Sequence, residues 1–169
     1  MKFIVVFLLV PMLGISQSDV KNNIQEQAQK LTSAVLSDQF QEAVKHTHPS
    51  IIDKAGGVDA QISQLKANRD RMKKEGVTIE LFEVGENVII DDFSETESHC
   101  IVPLTMKMKV GGKTITIKDH FFGFSDGSKE RWVFCELQQL RNPKQAQTLI
   151  PNFKTNLKFP QKIDPVYSN

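Results

Sequence analysis

Cysteine occurs only twice in this 169-residue chain, and tryptophan and tyrosine once each. Two cysteines cannot build a disulfide-dense scaffold or a four-cysteine zinc site. A surplus of charge is missing as well, since 21 Lys and Arg face 20 Asp and Glu. A general nucleic-acid binder needs excess cations to displace condensed counterions, so that class is excluded. The longest apolar run, Phe3–Leu13, has eleven residues including Pro11. A helix needs about 20 to span a bilayer, so no stable membrane insertion is expected. The chain also has no phosphate loop, nucleophile elbow or zinc-protease helix, and no cofactor is implied. What is present is 40% hydrophobic and 24% charged residues, the balance of one folded domain.

The first sixteen residues read as an export signal. Lys2 supplies the positive start, Phe3–Leu13 the apolar stretch, and Gly14 and Ser16 the small residues before a cut. The chain turns polar at Gln17, and no cysteine follows the cut to carry a lipid. Loss of Lys2 leaves 20 cations against 20 anions, a neutral mature protein. The expected location is a periplasm or the outside of the cell. Residues 17–160 form a single expected domain, with a tail over 161–169.

Apolar residues then recur at helical spacing. Val20, Ile24, Ala28, Leu31, Ala34 and Val35 predict one amphipathic helix from about Asp19 to Ser37. Ser37-Asp38 predicts the start of a second, short helix carrying Phe40, Ala43 and Val44, closed by Pro49. A turn around Ile51-Ile52 ends at Gly56-Gly57. Val58, Ile62, Leu65 and Met72 then outline a third helix that stops at Gly76.

From Val77 the period becomes two. Strands are predicted over Val77–Val84, Val88–Ile90, His99–Val110, Lys113–Phe124 and Arg131–Gln138, with a loop over Asp91–Glu97. Gly111-Gly112 reads as a two-residue hairpin loop, because glycine accepts the positive φ that primed turns demand. If Val110 faces Lys113, paired numbers along the two strands add to 223. Met106 then faces Ile117, Leu104 faces Asp119, Val102 faces Phe121 and Cys100 faces Gly123. A next turn of even length puts Trp132, Phe134 and Glu136 on that same face. A short helix from Pro143 to Ile150 follows. One apolar and one mixed face predict an α+β fold, with helices on a single side of an antiparallel sheet.

Several details resemble small exported bacterial proteins of the NTF2-like (cystatin-like cone) superfold. They are Ala28–Ala34 (AQKLTSA), His48-Pro49, Gly56-Gly57, Ser125-Asp126-Gly127 with Trp132-Val133-Phe134, and Leu149–Phe153 (LIPNF). The resemblance implies N-terminal helices packed on a curved antiparallel sheet, with a cavity between them. It does not imply one function, since the superfold hosts enzymes, ligand carriers and assembly modules.

The cavity the resemblance implies would be lined by Leu104, Met106, Asp119, Phe121, Trp132, Phe134 and Glu136. Related enzymes place a carboxylate there as a base. Asp119 and Glu136 are therefore the catalytic candidates, set against a hydrated or ion-paired role at the mouth. Burial raises a carboxyl pKa and a neighbouring acid raises it further, as acid–base work needs. The only tyrosine, Tyr167, lies far along the chain, which weakens an isomerase analogy.

The four histidines do not form a metal site. His46 and His48 are two apart, and His120 sits four residues along the sheet from His99, about 13 Å at 3.3 Å per residue. A surface role is expected for all four. Cys100 and Cys135 fall on opposite sheet faces, so no disulfide is expected. The outer face carries Ile101, Phe122, Phe124, Val133 and Leu137, which need cover. Leu149, Ile150, Phe153, Leu157 and Phe159 could supply it, or a second copy could, making a homodimer. The expectation is a non-enzymatic exported module binding a small apolar ligand or a protein. The alternatives are a cofactor-free isomerase, hydratase or hydrolase using Asp119 as general base, and a structural dimerising protein.

Overall fold

A computed structural model describes residues 17–168. The predicted export signal lies outside the described residues. Among them are six helices and six strands, an α+β fold with helices packed on a curved antiparallel sheet that does not close. This architecture is compatible with an NTF2-like cone. Among the described residues no helix is long and apolar enough to cross a membrane.

Helix α1 (Gln17–Leu36) buries Val20, Ile24, Ala28, Leu31 and Ala34 along one stripe. Its polar side chains on that stripe hold the turn that leads into Trp132. Gln27 donates through Nε2 to the Glu130 carbonyl (2.8 Å) and accepts from the Trp132 N–H (2.9 Å), while Asn23 donates to the Lys129 carbonyl. Trp132 is thereby fixed with no exposed surface. Helix α2 (Phe40–Lys45) follows a turn at Asp38, which pairs with Arg69 and Lys73 of helix α4 (Val58–Lys74).

Between them Pro49 opens helix α3 (Pro49–Ala55) and does not merely close α2, so Ile51-Ile52 is helical and not a turn. The first helical position suits proline, whose missing N–H would be unpaired there anyway. His48 caps this helix, its Nδ1 accepting from the Ser50 N–H at 3.2 Å.

Strands β1 (Val77–Val84), β2 (Ile89–Ser94), β3 (Glu97–Val110), β4 (Lys113–Asp126) and β5 (Val133–Glu136) form most of the sheet. The hairpin is the one predicted. Gly111 and Gly112 have φ of 55° and 82°, and β3 and β4 pair in one register from Val110↔Lys113 to Glu97↔Asp126. Two other expectations need correcting. The polar stretch after Ile90 continues as strand to Ser94, because β3 offers it a partner edge, and only Glu95-Thr96 turns. The strand expected over Arg131–Gln138 is only four residues long. Leu137–Leu140 forms helix α5, where the three-residue spacing buries both leucines in one cluster, whereas a strand would send them to opposite faces.

The ribbon β3–β4 has a waist at the pair Pro103↔His120. Proline cannot donate to a ladder, so this is a non-hydrogen-bonded pair, and the His120 N–H points away from β3. On the β3 side, β1 pairs with residues 104–110 and β2 with 97–101. On the β4 side, β5 pairs with residues 121–124, and β6 (Val166–Ser168) with 114–116. The last described residues, Val166–Ser168, fall in the expected tail over 161–169 and are therefore in sheet. Two bulges, at Glu80 in β1 and after Asp91 in β2, bend the flanking strands.

Two apolar clusters sandwich the sheet. The inner one joins α1 to Cys100, Val102, Leu104, Phe121, Trp132 and Phe134. The outer one holds Ile101, Phe122, Phe124, Cys135 and Leu137, with Val133 partly buried beside them. Helix α6 (Pro143–Leu149) and the segment after it cover that face through Ile150, Phe153, Leu157 and Phe159. Of the two covers considered for this face, the structure has the chain's own C-terminal strap. Phe122 and Leu137 retain no exposed surface.

Candidate functional site

The inner sheet face and the helices leave a hollow of about 200 Å³. Its walls are Leu31 and Val35 of α1, Ala43 of α2, Ile51 of α3, Leu65 of α4, and Phe82, Phe121 and Phe134 of the sheet. Thr47, Gln61, Glu136 and Gln139 supply its polar groups. A second hollow of similar size adjoins it along the sheet, lined by Leu104, Met106, Ile117, Asp119 and His120. Phe82, Phe121 and Glu136 line both.

The sheet register explains how two carboxylates reach this border. Glu136 lies opposite Phe121, and Asp119 is two residues before Phe121 on the same face. Such diagonal neighbours are about 7 Å apart. The bridge between Thr47 and Phe134 fixes the end of β5. The Phe134 N–H donates to the His46 carbonyl (2.8 Å), and the His48 N–H donates to the Phe134 carbonyl (2.9 Å).

Asp119 is half-buried, and its Oδ1 accepts the outward N–H of His120 at 2.8 Å. It thus satisfies a backbone donor that the gap between β5 and β6 leaves without a strand partner. Glu136 has no such engagement. It stands at the N-cap of α5, but its side chain makes no cap hydrogen bond. Loss of hydration raises its pKa above the ordinary carboxylate value, and the nearby charge of Asp119 raises it further. The residue as a whole still exposes surface to solvent, so the carboxyl is crowded by protein without being cut off from water. Beside it, Oε1 of Gln139 is buried without a hydrogen-bond partner.

The residues predicted from the sheet pattern divide accordingly. Leu104, Met106, Asp119, Phe121, Phe134 and Glu136 line one or both hollows. Trp132 lines neither, because it fills the inner core beneath α1. Phe82, Gln61, Gln139 and the helical walls were not foreseen. The 2.0 period of a strand identifies its inner face, but helix docking is not encoded in any one segment. The signal that could have found Gln139 is its place one helical turn after Glu136.

The histidines depart from a surface role. His99 is fully buried on the outer side, stacked on Phe93 with ring centroids 4.9 Å apart. Its Nδ1 meets Thr155 Oγ1 at 3.2 Å, and its Nε2 meets Glu97 Oε1 at 3.0 Å, so the ring has both partners a buried imidazole needs. His48 packs on Phe124, and burial lowers its pKa, as it does for His46 and His120. Among the described residues no group of three or more His, Cys, Asp or Glu is placed to hold a metal ion. Cys100 and Cys135 are free and buried in the inner and outer clusters respectively. No protein-family model matches the sequence, and no curated protein matches it either.

Proposed function

We propose that this chain is an exported, NTF2-like binding module that holds a small, mostly apolar molecule between its helices and sheet. The observation that carries the reading is the hollow at the border of the helical layer. It is walled by aromatic and aliphatic side chains from four helices and three strands, with a few polar groups among them. That is the general character of a small-molecule site. Its size suits a compact ligand, since about 200 Å³ equals the liquid volume of roughly seven waters.

A second reading is a cofactor-free isomerase, hydratase or hydrolase, and one observation favours it. Asp119 and Glu136 share one sheet face beside an apolar wall, Glu136 opposite Phe121 and Asp119 two residues before it. The backbone bond to Asp119 shifts the weight within that reading, making Glu136 the better proton acceptor and Asp119 its positioning partner. Homodimerisation through the outer face has less support, because the strap occupies that face.

Native mass spectrometry of protein recovered from the exported fraction of its own cells tests the first reading. A reproducible small-molecule adduct on the monomer is expected. An adduct-free dimer would transfer the function to a protein interface. Failure to recover the protein outside the cytoplasm would remove export from the proposal.

A further inference from the structure

The side of the sheet away from the hollow has a charge pattern that ligand binding in the hollow does not use. Residues 17–102 carry 9 Lys and Arg against 15 Asp and Glu, whereas residues 103–169 carry 11 against 5. A chain that is neutral from residue 17 onward is thus divided into an acidic part and a basic part, an asymmetry that points to a charged surface as partner. We propose that the outer side of the sheet docks peripherally on an anionic lipid bilayer. Its lysines meet the phospholipid phosphates, and Val166 and Ile163 enter the headgroup layer.

The fold collects the basic part on one side. Beyond the waist, Lys107, Lys109 and Lys118 stand exposed on the outer face of β3 and β4, Lys107 opposite Thr116 and Lys118 opposite Thr105. The strap over the rest of that face alternates like a strand. Phe153, Thr155, Leu157 and Phe159 turn inward to the sheet, and Lys154 and Lys158 are exposed between them. Arg141 holds the end of the strap through the Pro160 carbonyl at 2.7 Å, and exposed Lys162 follows two residues later. Among the described residues none of these six lysines makes an ion pair, whereas Lys30, Lys45, Arg69, Lys73 and Lys129 all do. Acids on this side include Asp91, Glu97 and Asp126, engaged by Asn156, His99 and Ser128. Glu83 and Asp164 stand nearer the lysines. Unpaired cations gathered on one side repel one another, and an anionic surface relieves that repulsion.

A second, independent observation is apolar. Val166 aligns with Thr116 and Lys107 in one row on this face and is 62% exposed, while Ile163, in the segment leading to it, is 46% exposed. Exposed aliphatic side chains among lysines suit the interface of a bilayer, and docking there needs no membrane-spanning helix. Lysines, compact charges on flexible stems, also fit a fluid layer of phosphates better than a fixed bidentate site. A nucleic acid is less well served. The exposed ring at this edge, Tyr167, aligns with Ile115 on the opposite face, where it offers no platform for bases on the basic side.

The test is sedimentation of residues 17–169 with vesicles of phosphatidylcholine, alone or with phosphatidylglycerol added, at neutral pH. Binding is expected only with phosphatidylglycerol, and added salt should weaken it. Replacing Lys107, Lys109 and Lys118 together by Gln should lower the affinity about a hundredfold, at about fivefold per lysine. Val166→Ser should lower it about threefold. Lys66→Gln with Lys74→Gln, on helix α4, removes exposed charge from the helical side and should change it by less than about twofold. Equal losses from the sheet and helical lysines would overturn the proposal, as would equal binding to both vesicles or to neither. Binding to polyglutamate or single-stranded DNA without binding to vesicles would overturn the bilayer in favour of that polymer. The hollow lies on the other face, so any of these failures leaves the reading of the hollow intact.

Discussion

The two halves of the β3–β4 ribbon differ in almost everything except their backbone pairing. On one side of the waist, residues 97–102 and 121–126 are covered on both faces, by α1 and Trp132 within and by the C-terminal strap without. Cys100, Ile101, Val102, Phe121 and Phe122 are all buried there. On the other side, the inner residues Met106, Met108, Ile115 and Ile117 are only half-buried, and Lys107, Lys109 and Lys118 face outward in solvent. The near half reads like a buried sheet and the far half like a wetted one. Stability therefore concentrates in the near half, and the hollow lies at the border where the cover ends. A site at such a border has a rigid wall behind it and an open side before it, as binding needs.

The comparison is sharpened most by removing the strap. A chain ending at Asn152 loses Phe153, Leu157 and Phe159 from the outer cluster, and should lose about 3–6 kcal/mol at about 1–2 for each partly buried side chain. Urea denaturation measures this, and a loss below 1 kcal/mol would mean the strap is decoration. Phe122→Ala empties a fully buried site in the near half and should cost about 3–5 kcal/mol. Ile115→Ala in the far half should cost less than half as much, and equal losses would dissolve the distinction between the halves.

Gly123→Ala probes how tightly the near half is packed. A β-carbon at Gly123 would stand 2.5 Å from Cys100 Sγ and 2.9 Å from a ring carbon of Phe134. A destabilisation of about 1–3 kcal/mol is expected, and Cys100→Ala in the same chain should recover part of it. Simple additivity of the two changes in a double-mutant cycle would show that the thiol is not the obstruction.

The smallest effect is expected at the border itself. Because the folded pKa of Glu136 is raised, its ionisation costs stability. Its favourable contribution is complete below the unfolded carboxylate value and disappears as pH rises through the folded one. Glu136→Gln should therefore raise Tm slightly at neutral pH and leave it nearly unchanged in acid. A lower Tm at neutral pH would show that the carboxylate has a stabilising partner.

Much of this was legible in the residues. Gly111-Gly112 between alternating strands determined fourteen cross-strand pairs, and through them the shared face of Asp119, Phe121, Phe134 and Glu136. The departures arose where a local signal had two meanings. Pro49 can follow one helix or begin the next, and only the His48 cap decides it. His99 looks solvated as a polar residue on a mixed face, yet Thr155, distant in sequence, is its buried partner. Of the candidate site, the sheet side followed from parity alone. The helical walls and Gln139 depend on how four helices dock, a tertiary outcome that no period in the sequence carries.

The two thiols on opposite sides of the sheet provide a pair of clocks. Burial raises both thiol pKa values far above the ordinary cysteine value, so neither reacts until its own surroundings open. Cys135 sits in the outer cluster beneath the strap and Cys100 in the inner one under α1. Their alkylation rates would time two separate openings of one sheet. If the strap peels away before the helical layer lifts, Cys135 will be labelled first while Cys100 waits for the whole domain to unfold.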